Sequence, residues 1–112
     1  LGLTLRSCSN EQLELEMPWR DEIVSNPAIG SAHGGVLASL IDLTGLYTLL
    51  SQGTGAKATA DLRVDYHRPA TSGPLVASGK IIKIGKNISV AETRVYGPTG
   101  NLLASGRGAN VC

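Results

Sequence analysis

The stretch from His33 to Leu50, HGGVLASLIDLTGLYTLL, decides the fold. It is the longest apolar run in the chain, and it carries one carboxylate, Asp42, in its middle. Val36, Leu37, Leu40, Ile41, Leu43, Leu46, Tyr47, Leu49 and Leu50 fall on every side of a helical wheel, the pattern of a helix buried all round. Such a helix is about 27 Å long, close to spanning length, but Asp42, Ser39, Thr44 and the glycines count against a membrane span. The expectation is a soluble protein. Taking an unpaired carboxylate out of water costs on the order of several kcal/mol, so Asp42 must be paired, protonated or open to a wet cavity.

Working outward, the helix is expected to begin between Ser31 and Gly35 and to stop at Gly53-Thr54-Gly55, where glycines end the pattern. Upstream, Leu1, Leu3 and Leu5 alternate with small or polar residues. The alternation resumes at Leu13, Leu15 and Met17 after a turn-like Ser7-Cys8-Ser9-Asn10, which predicts an antiparallel hairpin. Pro18, Asn26-Pro27 and Gly30 interrupt regular structure, so Trp19 to Ala32 reads as a loop or short helical turn.

Downstream of Lys57 the period changes to two. Ala58, Ala60, Leu62, Val64 and Tyr66 form one face of a strand ended by Pro69, with Thr59, Asp61, Arg63, Asp65 and His67 on the other. Further strands are predicted at Leu75 to Ile84, Ile88 to Tyr96 and Leu102 to Val111, joined by hairpin turns. No helix separates these last four, which predicts an antiparallel meander. The fold class is therefore α+β, one long helix against one sheet, with Gly79, Gly106 and Gly108 marking places where the sheet backbone comes close to something.

At 112 residues the chain fits one domain, residues 1–112, with enough length for one real core. A net charge of +1 lacks the basic footprint of a nucleic-acid binder, so any anionic ligand must be held locally. Cys8 and Cys112 with no visible signal peptide favour reduced thiols and a cytoplasmic setting. His33, His67 and two distant cysteines give no metal-ligand spacing.

The chemistry concentrates on the same stretch. One turn away from Asp42 lie Ala38, Ser39, Gly45 and Leu46, and Gly35 is two turns before it, a strip of mostly small residues that lets a backbone or a ligand approach the carboxylate. A structural Asp bonded to hydroxyls or amides and a catalytic one fit this pattern equally well. His33-Gly34-Gly35 occupies the helix start, where backbone N–H groups lack internal partners and the dipole favours negative charge. It reads either as a tight entry turn or as an oxyanion site. Nine residues separate His33 from Asp42, half a turn out of phase at about 100° per residue. If both are functional, a second subunit must supply one of them.

His33-Gly34-Gly35 and Asp42, preceded by Asn26-Pro27 and Gly30 and followed by Asp61-Leu62-Arg63-Val64-Asp65-Tyr66-His67-Arg68-Pro69-Ala70, Gly85-Lys86 and Leu103-Ala104-Ser105-Gly106-Arg107, resemble the hotdog-fold acyl-CoA thioesterases of the phenylacetate-pathway type, within the 4-hydroxybenzoyl-CoA thioesterase superfamily. The resemblance implies a curved antiparallel sheet wrapped around the helix. It also implies a homodimer that joins sheets edge to edge and forms the site at its interface, and two such dimers in a homotetramer. The substrate implied is an aryl- or medium-chain acyl-CoA, with coenzyme A as part of the substrate and no separate cofactor, metal, nucleic acid or membrane partner. Asp42 would be general base or nucleophile. Gly35 N–H would polarise the thioester carbonyl, with Gly34 beside it and His33 fixing the turn or reaching the thioester. Asn26 would hold the water or the carbonyl, and Thr59 would support the carboxylate. Asn26 stands seven residues before His33 where six is usual, so a one-residue bulge must be absorbed. Arg68, Lys86 and Arg107, with Lys83, are the candidates for the coenzyme A phosphates. The rivals are a non-catalytic acyl-CoA or lipid-binding hotdog protein and an enoyl-CoA hydratase.

Overall fold

The computed structural model describes residues 2–20, 24–26 and 30–112. In chain order the elements are β1 (Thr4–Ser9), β2 (Gln12–Met17), β3 (Val24–Asn26), β4 (Ser31–Ala32), α1 (Gly34–Ser51), β5 (Ala58–Tyr66), β6 (Leu75–Lys83), β7 (Ile88–Tyr96) and β8 (Leu102–Val111). The helix and the last three strands lie where the periodicity predicts them, to within two residues at each end. The first hairpin turns later than expected, at Asn10 and Glu11, with Glu11 at φ 68.

Six strands make one antiparallel sheet in the order β1-β2-β6-β7-β8-β5. This corrects the meander expectation. β6, β7 and β8 do form a meander, but β5 lies at the far edge beside β8, paired Leu62↔Gly108 and Tyr66↔Ala104. The reason is positional: β2 already occupies the side of β6 that β5 would need, paired Leu13↔Gly79 and Met17↔Leu75. The Trp19 to Ala32 expectation is corrected as well, since Val24–Asn26 and Ser31–Ala32 pair as a small separate ribbon.

α1 lies on one face of the sheet. Its sheet-facing side supplies Leu37, Leu40 and Ile41, which meet Met17, Leu75, Ala77, Val95, Leu103 and Ala104 in the core, and Leu49 is buried further along. Each fully buried aliphatic side chain there stabilises the fold by roughly 1.5–3 kcal/mol. The helix is not buried all round in the single chain, because one sheet covers one side only: Tyr47 is 42% and Leu50 43% exposed. By length and composition α1 could cross a bilayer, but it serves here as the core helix of the domain.

Close approach of helix and sheet depends on missing side chains, as the glycine pattern predicts. A Cβ at Gly79 would run into Thr48, and one at Gly106 would lie 2.7 Å from Ile41 Cγ2. The buried hydroxyls at this contact are satisfied within the helix, Thr44 Oγ1 donating to Leu40 O and Thr48 Oγ1 to Thr44 O, both at 2.6 Å. α1 can therefore press its polar seam onto the sheet without stranding a donor.

Candidate active site

At the start of α1, His33 is extended (φ −61, ψ 130) and acts as the N-cap. Its carbonyl accepts from Val36 N and Leu37 N, and its side-chain Nδ1 accepts from Gly35 N–H at 2.9 Å. His33 therefore fixes the turn, one of its two expected roles, and it does so by occupying the Gly35 amide. Gly34 N–H meets no acceptor among the described residues. On the other side of the same turn, Tyr66 Oη donates to Gly34 O at 2.7 Å, and a Cβ on Gly34 would lie 3.3 Å from that hydroxyl. A cavity of about 290 Å³ opens here, lined by Ala32, Gly34, Leu37, Tyr66, Arg68 and Ala70 among others.

Asp42 lies eight residues further along the helix, about 12 Å down its axis. It is half-buried and accepts a hydrogen bond on Oδ1 from Thr59 Oγ1 at 2.6 Å, the one it receives among the described residues. Its second oxygen, Oδ2, accepts no hydrogen bond among the described residues. Thr59 reaches the helix because of a bulge: Thr59 pairs with Asn110 and Asp61 with Ala109, leaving Ala60 extra. That irregularity breaks the strict alternation expected for β5 and turns Thr59 toward α1. Tyr66, expected on the apolar face, is 55% exposed and anchored by its hydroxyl instead.

β5 thus joins the two parts of the site. Thr59, near its start, holds the carboxylate, and Tyr66, at its end, holds the helix start. The outer edge of β5 has no strand partner in the single chain.

The remaining expected residues are dispersed. Arg68 follows β5, lines the helix-start cavity and donates to Leu102 O at 3.3 Å. Arg107 is exposed in β8, one residue on from the helix-facing Gly106, so it stands on the face away from α1 together with Arg63 and Arg94. Lys86 occupies the β6–β7 turn, and that turn borders the end of the sheet where Ile88 and Ala58 both pair with Val111. The three do not form one basic patch within a chain. Asn26 pairs with Ser31 through a register shift between Val24 and Asn26, on the side of Asn26 away from His33, and the role given to its side chain falls outside the described residues. His67 is exposed and bonded to Ser105 Oγ at 2.8 Å, as its strand position suggests. The sequence reading missed Tyr66 as an anchor. The signal was present in a large phenol at the end of an edge strand just before Pro69, but no local pattern tells which backbone it will meet.

Residues 29–104 match the model of the thioesterase superfamily. Acyl-coenzyme A thioesterase 13 of Mus musculus is 32% identical over 108 residues, covering 94% of this chain and 76% of the relative. An X-ray structure of a thioesterase-superfamily protein aligns with TM-score 0.94 and 41% identity over 100% of this chain and 85% of that one. The Escherichia coli PaaI protein from the phenylacetic acid degradation operon aligns with TM-score 0.88 and 27% identity over 99% and 83%. The architecture is the α+β hotdog fold, six antiparallel strands against one long helix.

Proposed function

The chain belongs to the thioesterase superfamily and is a thioester hydrolase, and from that premise we propose that it cleaves aryl- or medium-chain acyl-CoA at a site shared by two copies. One observation carries the reading. The Thr59-held carboxylate and the helix start lie at opposite ends of one strand, and that strand has an open edge. Pairing two β5 edges antiparallel about a two-fold axis near Leu62 and Arg63 sets Thr59 and Asp42 of one chain toward Gly34 and Tyr66 of the partner subunit. This also answers the half-turn mismatch between His33 and Asp42.

In the completed site Asp42 takes a proton from water as the water adds to the thioester carbonyl, or it attacks that carbonyl itself to give an anhydride that water then opens. Either route breaks the C–S bond, releases coenzyme A as thiol after proton return, and leaves the free acid. The developing oxyanion needs backbone donors at the helix start. Gly35 N–H can serve once His33 releases it, and Gly34 N–H is already without a partner among the described residues. Asn26 is assigned to the water or the carbonyl. Arg68 lies nearest the helix start on its own chain, and the Lys86 turn of the partner subunit approaches the same end. Arg107, on the far face, would reach coenzyme A only through another dimer, as in a homotetramer.

The test is a panel of benzoyl-, phenylacetyl- and fatty acyl-CoA thioesters followed by free-thiol detection, with sedimentation to count subunits. Turnover of at least one member that falls by about 10² or more in Asp42→Asn supports the proposal. Coenzyme A binding without turnover across the panel would leave a binding protein instead, and hydration of an enoyl thioester would make it a hydratase.

A further inference from the structure

Asn110, near the end of β8, is 2% exposed, and its Nδ2 is buried with no hydrogen-bond partner among the described residues. A buried amide left unpaired costs about 1–3 kcal/mol, so an acceptor is called for. Parity along β8 fixes the face it occupies. A Cβ at Gly106 would meet Ile41 of α1, so Gly108 and Asn110, two and four residues on, share the helix-facing side.

Two neighbours on that side bear on the missing acceptor. On β7, Asn110 is opposite Ser89, whose Oγ already accepts from Gly85 N at 3.1 Å and lies 3.3 Å from Cys112 Sγ. On β5 it is opposite Thr59, whose hydroxyl bonds Asp42 Oδ1. Directly opposed residues on one face hold their Cβ atoms about 4.5–5.5 Å apart. A donor without an acceptor and a carboxylate with one oxygen unclaimed therefore flank the same threonine.

Building on the reading of Asp42 as the reacting carboxylate, we propose that Asn110 is a positioning residue that donates Nδ2–H to the Asp42 carboxylate when the site is complete. In the single chain Thr59 is exposed along the open edge of β5, and the Asp42 carboxylate beside it is only half-buried. Closing that edge with a second chain shields the carboxylate from bulk solvent and leaves Asn110 as the donor on the inner side. Thr59 and Asn110 then hold the carboxylate from two directions, which fixes the orientation of its reacting oxygen.

Two measurements test this. In the full-length wild-type protein, the side-chain amide resonances of Asn110, assigned by their loss in Asn110→Ser, should move on Asp42→Asn and stay in place on Ser89→Ala. In steady state, Asn110→Leu, which keeps the volume and deletes the donor, should lower kcat about tenfold with KM unchanged and have no further effect in the Asp42→Asn background. Resonances that respond to Ser89→Ala but not to Asp42→Asn overturn the proposal, as does a folded Asn110→Leu with wild-type kcat. If Asn110→Leu does not fold, the resonance comparison decides alone. Failure of the hydrolase reading is separate, because it would show as no wild-type turnover across the thioester panel, and loss of the Asp42 role as unchanged turnover in Asp42→Asn, whatever the Asn110 resonances do.

Discussion

β1 and β5 both run along an unpaired edge of the same sheet, yet they are finished differently. β1 has six residues, all exposed, with a register break between Leu5 and Ser7 and a charged Arg6 at that break. Bulge and charge both discourage a further strand from adding, but β5 also has a register break, between Thr59 and Asp61, and carries Asp61, Arg63 and Asp65, so the difference lies elsewhere. β5 has nine residues, is tied to α1 through Thr59 and Tyr66, and is regularly paired with β8 from Asp61 to Tyr66. One edge is free of the helix and the other is held to it at two points. Open sheet edges are thus not equivalent, and what separates them is whether the helix fixes their side chains.

The largest effect expected from this contrast is in mixed dimers. Asp42→Asn and Gly34→Pro should each be nearly inactive alone, and mixing them after dissociation should restore about a quarter of wild-type activity, because half the dimers carry one intact site out of two. Proline suits the backbone at the first helical position after an extended His33, and its Cβ, 3.3 Å from the exposed Tyr66 hydroxyl, needs only a small shift of that side chain, so the variant should fold while losing that N–H. No recovery on mixing would mean that each chain holds a whole site. Next, Thr59→Ala should lower kcat by about tenfold at nearly constant KM, since a charge-assisted bond to the carboxylate is lost. Smaller again, Tyr66→Phe should lower stability by at most about 1 kcal/mol, read by urea unfolding, because its bond to Gly34 O is exposed. Smallest of all, Leu5→Lys on β1 should change neither the rate nor the sedimentation coefficient; a dissociated oligomer in that variant would reverse the roles given to the two edges.

The sequence exposes local order better than long-range partners. Helix bounds follow from a long apolar run closed by glycines and strand bounds from a period of two, so α1, β6, β7 and β8 were legible. The position of β5 was not, because a strand's own pattern does not say which neighbour has already been taken, and β2 had claimed the side of β6. Asp42 stood out as a charge in an apolar run, and Thr59 entered through resemblance rather than pattern. The bulge at Ala60 that turns Thr59 inward has no Gly or Pro to announce it. His33 at a helix start suggested chemistry, and the capping bond to Gly35 depends on a side-chain rotamer that spacing cannot give. Asn110 was visible in principle: after Ala104, Gly106 and Gly108 it is the one polar member of an alternating series, and an amide in that place needs an acceptor.

The contact between Gly79 and Thr48 reaches further than packing. It works as a gauge block, setting the height at which the helix rests above the sheet. The Thr59–Asp42 bond at 2.6 Å has little slack, so lifting the helix by the thickness of one methyl group would part hydroxyl from carboxylate. A Gly79→Ala change, on β6 and three strands across from β5, would therefore be felt as lost turnover before it was felt as lost fold. The distance that matters to the chemistry is machined into a position that never touches the substrate.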